Sequence, residues 1–533
     1  MSAPAATAAP SYFETGWTGG RNPWAIALVV TMATFMEVLD TSVANVSLPH
    51  IAGDLSVTSD ESTWVLTSYL VSNAIILPIS GWLATRFGRK RFYMTCVALF
   101  TVSSLLSGLA PSLGTLIFFR ILQGLGGGGL APSEQAILVD TFPPVKRGMA
   151  MAIYGMAVVL APAIGPTLGG YITDHSSWRW IFFINVPVGL ASLALSHRFV
   201  TDPPHLVRMR KEAGSIDYVG LGLVALTLAF LQYALDRGQE ADWFHSTTIV
   251  ICAVVSAVCL IAFILWEWRE PNPVIDLRMF KNRTFTTSNV MMLVLGFSLY
   301  GTTVMLPLFE QQLLGYTAER AGLTLSPGGF MVMAMMPLVG FLMTRMSVRV
   351  LIGFGLTTLA LALRYMSRHL YVGVDFHTVW MLRVYQMVGM AFLFVPINSA
   401  AYVGTSPEQS NAVSGMMNVS RNIGGSLGIS FVTTLIARRS QFHQAELSSS
   451  TNLYNPAFAD RWRSVARAFE SVGSSSVDAA HQGLAVVYRQ MQLQAAQLAY
   501  LDAIHMLAIA VACMLPLLLF VKSPRPGETT AAV

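Results

Sequence analysis

A chain of 533 residues that is 54% hydrophobic and only 11% charged is too poor in charge for a soluble globule, where charged residues make up about a quarter. Its net charge of +5 comes from basic residues held in short loops between apolar runs, the pattern of membrane topology and not of nucleic-acid binding. Cys96, Cys252, Cys259 and Cys513 all lie inside apolar runs, so neither a disulfide framework nor a metal site is indicated.

Residues 1–22 are small, polar and rich in Pro and Gly, and read as a cytoplasmic tail. Fourteen runs of about the 20 apolar residues needed to cross hydrocarbon follow. They lie near 24–46, 62–84, 92–110, 115–138, 148–172, 180–200, 216–235, 246–266, 286–309, 319–343, 349–370, 377–403, 411–437 and 500–521. An even count puts both termini on one side. Alternate loops carry Arg86, Arg89, Lys90 and Arg91, then Lys146 and Arg147, then Arg208, Arg210 and Lys211, with Lys522 and Arg525 at the end. That excess makes the side of the termini the cytoplasm.

The first run contains Glu37 and Asp40. A carboxylate at membrane depth costs about 3 kcal/mol or more unless it is paired or faces water, so it marks ion or substrate traffic. Three residues apart on a helix, the two acids share a face. In the fourth run Arg120, followed by Gln123, needs a carboxylate or carbonyl partner for the same reason. At 1.5 Å per residue, Asp40 and Arg120 fall at about the same depth, roughly 10 Å from the external ends of their helices. Arg421 falls near the middle of the thirteenth run. Glu134 and Glu310 sit toward helix ends, where solvation is an adequate account of them. The fifth run carries Gly155, Pro162, Gly165, Pro166, Gly169 and Gly170. Small residues at 161, 165 and 169 allow close helix packing, and the prolines allow a bend. After the second run come Gly81, Arg86, Gly88, Arg89 and Lys90, readable as membrane anchoring or as a functional loop.

The last six runs repeat the first six. Gly81, Leu83, Thr85 and Arg86 recur as Gly340, Leu342, Thr344 and Arg345, and Gly165, Leu168 and Gly169 as Gly424, Leu427 and Gly428, both at an offset of 259; Arg120, Gln123, Gly126 and Leu130 recur as Arg383, Gln386, Gly389 and Leu393 at 263. The expected fold is an all-α polytopic membrane protein of 14 transmembrane helices. Residues 23–202 form an N-terminal six-helix half, 203–285 linkers and a two-helix insert, and 286–533 a C-terminal half in which 438–499 is a long external loop whose stretch from Leu484 to Tyr500 reads as a helical extension of the last span. Parallel repeats of this kind place a binding site between them near the midplane, and Gln123, Glu134, Gln386, Asn398 and Arg421 are the candidates to line it.

These residues together resemble the signatures of the major facilitator superfamily. The stretches Leu39-Asp40 to Pro49 and Trp178-Arg179-Trp180 to Pro187 resemble its fourteen-helix EmrB/QacA branch of drug:proton antiporters. In the loop after the second run, Thr85 stands where Asp is common in the superfamily. The resemblance implies that Asp40 is linked to protonation, with Glu37 near it, that Arg120 takes part in coupling, and that the glycines of the fifth run form the antiporter motif. It further implies export of amphipathic toxic molecules across the inner membrane, driven by a proton gradient with no cofactor, and work with a periplasmic adaptor (a membrane fusion protein) and an outer-membrane channel, for which 438–499 is the docking candidate. Export of one dedicated product, an antibiotic or siderophore, is the alternative within transport. An intramembrane enzyme is disfavoured because no HExxH or GxSxG arrangement occurs, and no phosphate-binding Gly-x-x-x-x-Gly-Lys loop suggests a nucleotide-driven pump.

Overall fold

The computed structural model describes residues 18–204, 206–207, 217–271, 273–406, 409–449, 451 and 454–521. Residues 1–17 of the tail, the loop cations Arg208, Arg210 and Lys211, and the terminal Lys522 and Arg525 lie outside them. Apolar runs become helices because only a helix hides every backbone polar group of a lone segment from lipid. The N-terminal half consists of α1 (Pro23–Val46), α2 (Trp64–Phe87), α3 (Arg89–Gly108), α4 (Leu113–Thr141), α5 (Pro144–His175) and α6 (Trp180–Phe199). The insert is α7 (Tyr218–Arg237) and α8 (Thr247–Glu267). The C-terminal half consists of α9 (Arg283–Leu313), α10 (Ala318–Leu342), α11 (Val348–His369), α12 (Phe376–Ala401), α13 (Ser410–Ser449) and α14 (Ser476–Ala512). Among the described residues thirteen helices are apolar enough to cross a membrane on composition alone. The fourteenth, α13, is diluted by Asn411, Ser414, Asn418, Ser420, Arg421 and Asn422, and it is the helix most engaged with polar partners elsewhere.

Helix ends follow their capping residues. Asn22 accepts from the Trp24 amide ahead of Pro23 at the start of α1, and Gly88, at φ +92°, makes the tight turn between α2 and α3 that a residue with a Cβ would resist. On the opposite side, Arg179 and the Trp178 indole both donate to Asp54 Oδ2, at 2.6 and 2.8 Å. Those hydrogen bonds hold the Asp54 carboxyl below its usual range, the arginine's being the larger cause.

The two halves have one packing plan. In the first, α1 packs on α5 and α6, α2 on α4, and α3 on α4 and α6. In the second, α9 packs on α13 and α14, α10 on α12, and α11 on α12 and α14. The halves meet along α5 with α10 and α2 with α13. The insert lies against α2 and α13, with Ser426 Oγ donating to Gln232 Oε1 at 2.8 Å and Trp243 Nε1 to Thr434 Oγ1 at 2.9 Å.

Two expectations are corrected. The helix expected over Leu484–Tyr500 is present, but most of the rest of 438–499 is not a loop either: α13 runs on to Ser449, a separate helix spans Pro456–Ser471, and α14 begins at Ser476. Its polar residues rule out a span but suit amphipathic helices packed on each other, and Trp462 Nε1 donates to the Ala480 carbonyl at 3.0 Å to join two of them. Glu134 and Glu310 are not solvated, for both are fully buried. Every residue from Leu130 to Thr141 is enclosed by neighbouring helices. At 1.5 Å per residue α9 is about 46 Å long, so Glu310 stays covered although it lies one turn from the helix end; Thr324 Oγ1 donates to its Oε1 and Oε2 at 2.7 and 2.9 Å.

Candidate functional site

The site begins with a run of glycines. Gly124, Gly126 and Gly127 interrupt the bulk of α4, and a Cβ on Gly127 would lie 2.6 Å from the Tyr69 hydroxyl. Gly124 and Gly127 let α4 press onto α2 closely enough to bring Arg120 to both Tyr69 and Asp40, while Gly126 lies against Cys96 and Phe100 of α3. Arg120 Nη1 donates to Asp40 Oδ2 at 2.6 Å and to Gln123 Oε1 at 2.8 Å, while its Nε donates to the Val65 carbonyl at 3.0 Å. Asp40 Oδ1 accepts from Gln123 Nε2 at 3.0 Å and Asn185 Nδ2 at 2.7 Å. Ser104 Oγ, itself donating to the Phe182 carbonyl, receives the other hydrogen bond of Asn185. Asp40, Arg120, Gln123 and Asn185 are all essentially inaccessible to solvent. All of Asp40's partners are donors, so the carboxylate is bound here in its charged, acceptor-only form.

Glu37 occupies a second compartment. It is half-buried, and its Oε1 accepts from the Tyr69 hydroxyl at 3.0 Å and Asn73 Nδ2 at 3.2 Å. The Tyr69 ring lies under the Arg120 guanidinium, 4.3 Å from ring centroid to Cζ. One tyrosine therefore touches both acids' networks, by its hydroxyl on one side and its π face on the other.

Below these acids a polar layer joins the halves. Arg421 Nη1 donates to the Tyr154 hydroxyl at 2.7 Å, Tyr154 donates to Asn418 Oδ1 at 3.1 Å, and Asn418 Nδ2 donates to Gln135 Oε1 at 3.1 Å. Glu134 Oε1 accepts from Thr31 at 2.5 Å, and its Oε2 is buried without a hydrogen-bond partner. The five candidate cavity residues therefore separate. Glu134 and Arg421 face the middle of the bundle, Gln123 and Gln386 are bound into arginine networks, and Asn398 Nδ2 bonds the Phe394 carbonyl of its own helix.

The small residues of α5 mediate between α1 and α10. A Cβ on Gly165 would collide with Ser42 and one on Gly169 would come within 3.0 Å of Val43, both a turn or less from Asp40. The neighbouring edge meets the other half, where Ser326 Oγ donates to the Ala163 carbonyl at 3.1 Å and Gly322 packs on Pro166 and Thr167. Gly155 packs on Met336 and Phe394, Pro162 accepts from Ser42, and Gly170 faces open space. At the face of the basic loops, Arg89 is buried: its Nη1 donates to Asp140 Oδ2 at 2.6 Å and its Nη2 reaches Ser410 Oγ across the halves at 3.1 Å. Gly81 lets α2 meet the backbone of Asn411, whose Nδ2 donates to Thr85 Oγ1 at 3.3 Å. Lys90 Nζ donates to the His197 carbonyl, and Arg86 is half-buried near the end of α2.

The family model described as Major Facilitator Superfamily matches residues 30–429. The chain belongs to that superfamily. It is 38% identical over 432 residues to the multidrug export protein EmrB of Escherichia coli K12, covering 81% of this chain and 83% of that one. It is likewise 38% identical over 442 residues to the fatty acid resistance protein FarB of Neisseria gonorrhoeae, covering 82% and 85%, and 30% identical over 508 residues to the colistin resistance protein EmrB of Acinetobacter baumannii, covering 93% and 96%. Among solved structures, a double-Trp mutant of XylE superposes with a TM-score of 0.60 at 14% identity over 95% of this chain and 97% of that chain, which shows the shared fold. The buried ion pair thus sits in a membrane transporter and not in an enzyme. Residues Tyr69, Asn73 and Ser104 complete its networks without having been singled out in the sequence, where their only signal is a scatter of amides and hydroxyls within apolar runs, whereas Asn185 lies in the Trp178–Pro187 stretch that carries the family resemblance.

Removing one partner of a buried ion pair leaves an uncompensated charge and costs about 3–5 kcal/mol. Asp40→Asn should therefore lower the thermal unfolding midpoint in detergent, and Asp40→Asn with Arg120→Gln should recover most of the loss without recovering transport. An Asp40→Asn protein melting with the wild type would contradict the pairing.

Proposed function

We propose that this transporter exports amphipathic toxic small molecules, drug-like compounds among them, across the inner membrane in exchange for protons, with both termini in the cytoplasm. The observation that carries the reading is the Asp40–Arg120 pair joined through Tyr69 to Glu37. Asp40 carries the proton. Once separated from Arg120, its carboxylate is left in a medium that tolerates it only with a proton added, and renewed pairing expels that proton. Glu37, open to the middle of the bundle, meets the substrate or shares the proton. A substrate that displaces the Tyr69 hydroxyl disturbs the ring under Arg120. The α5 helix is the second route, because it touches α10 of the other half and α1 beside Asp40. Alternating access of the halves then loosens and restores the pair. The relatives are named for multidrug export, fatty acid resistance and colistin resistance, which favours a broad substrate range over one dedicated product.

Expression in a pump-deficient host should restore efflux of several structurally unlike amphiphiles, and a proton uncoupler should abolish it. Efflux unchanged by the uncoupler would exclude proton exchange.

We further propose that the external helices serve the periplasmic adaptor and, through it, an outer-membrane channel. Val472, Val477, Leu484 and Tyr488 are exposed on and beside them, while Gln444 and Tyr488 bind one helix to the next at 2.9 Å. Shortening the segment between Ser448 and Ser476 should spare transport in proteoliposomes and abolish resistance in an intact double-membraned cell. Resistance that survives the deletion would remove the docking role.

A further inference from the structure

At the face opposite the basic loops, the second half carries cations that the first half lacks. The repeat offset of 259 that relates Gly81 to Gly340 also relates Val102, Leu105, Leu106 and Leu109, at the end of α3, to Leu361, Arg364, Tyr365 and Arg368 of α11. Spaced i, i+3, i+4 and i+7, these positions form one stripe of a helix. In the first half the stripe is apolar and turned to lipid, with Val102, Leu105 and Leu109 all exposed. In the second, Leu361 is 64% exposed and Arg364 and Arg368 are exposed beyond it. The stripe keeps its outward direction and exchanges two leucines for arginines. At 1.5 Å per residue, Arg364 lies roughly 8 Å below the end of α11 and Arg368 one turn nearer that end. That is the depth at which hydrocarbon gives way to lipid headgroups.

The neighbouring helix α14 runs antiparallel to α11 and packs on it. Ser367 Oγ lies 2.9 Å from His505 Nε2, which Arg364 Nη1 also meets, and the Val372 amide donates to Gln497 Oε1 at 2.9 Å. Deeper in the membrane, Met506 and Ile509 of α14 are exposed beside Leu361. The acid of this region, Asp502, is taken up by α13: it accepts from Arg439 Nε at 2.6 Å and lies 2.8 Å from His443 Nε2. Among the described residues no carboxylate lies within ion-pair distance of Arg364 or Arg368, and Arg368 makes no hydrogen bond through its side chain. Two guanidiniums that always carry their charge therefore stand one turn apart at headgroup depth, above an apolar surface, without an acid of the protein's own. We propose that Arg364 and Arg368 form a binding site for an anionic phospholipid, with its phosphate at the two guanidiniums and its acyl chains along Leu361, Met506 and Ile509. Planar guanidinium forks match phosphate oxygens, and basic groups beside an apolar helix surface suit an anionic headgroup. A zwitterionic headgroup brings an ammonium that the same arginines repel. The site is independent of which molecules are exported.

The test uses the full-length protein, delipidated in a non-ionic detergent and titrated with phosphatidylglycerol or with phosphatidylcholine of the same acyl chains. Bound lipid is counted by native mass spectrometry, and thermal unfolding is followed in parallel. Phosphatidylglycerol should bind in preference and raise the unfolding midpoint. Arg364→Leu combined with Arg368→Leu restores the residues of the first half, so this variant should fold. It should bind phosphatidylglycerol at least about tenfold more weakly, the scale of two cations beside an anionic lipid, and lose the rise in midpoint. Arg368→Leu alone breaks no side-chain hydrogen bond and should give a smaller loss in the same direction. Arg364→Lys with Arg368→Lys keeps both charges and should keep most of the binding. Equal binding of the two lipids by the wild type would overturn the proposal, as would wild-type affinity for phosphatidylglycerol in the leucine variants.

Discussion

A charge inside hydrocarbon must be paired, hydrogen-bonded or opened to water, and this molecule is arranged around that constraint. Its clearest instance is Asp40 with Arg120, where three donors from α4 and α6 converge on one carboxylate. Arg89 is treated in the same way at the face of the basic loops, by Asp140 and Ser410. Arg421 is held differently, by a tyrosine hydroxyl alone, with its buried Nε left without a hydrogen-bond partner. Pairing of this kind adds little net stability, since desolvation consumes most of the attraction. What it provides is a state that changes when one partner moves.

Movement of that kind has a built-in path. The α5 helix lies against α1 with the glycine edge that faces Ser42 and Val43, and against α10 with the edge that carries Ala163 and Thr167. Such close approach without bulk makes the contact firm, so a shift of one half relative to the other reaches the backbone beside Asp40. From the central side, Tyr69 links Glu37 to the guanidinium of Arg120. In the proposed cycle, substrate in the middle of the bundle and displacement between the halves act on the same ion pair from two directions.

Much of this was legible in the chain before folding. Fourteen apolar runs gave the spans, and matching glycines and arginines at nearly one offset gave the two halves. The common depth of Asp40 and Arg120 followed from counting along their helices. The remainder depends on which face of each helix turns inward, which apolar runs do not disclose. Tyr69 and Asn73 are ordinary polar residues until packing aims them at Glu37. Glu134 and Glu310 looked solvated because their places near helix ends say nothing about neighbouring helices that overlap them. The helices over 438–471 were hidden by polarity, which excludes a span but is equally compatible with a loop and an amphipathic hairpin.

The central claim is that Asp40 exchanges its proton as substrate is bound and moved. The most direct measurement is proton release from the detergent-solubilised protein on addition of an exported substrate, recorded with a pH-sensitive dye in weak buffer for wild type and Asp40→Asn at equal substrate occupancy. Release by the wild type that is absent from Asp40→Asn is the predicted result. Equal release from both proteins would contradict it and transfer the proton to Glu37, Glu134 or Glu310.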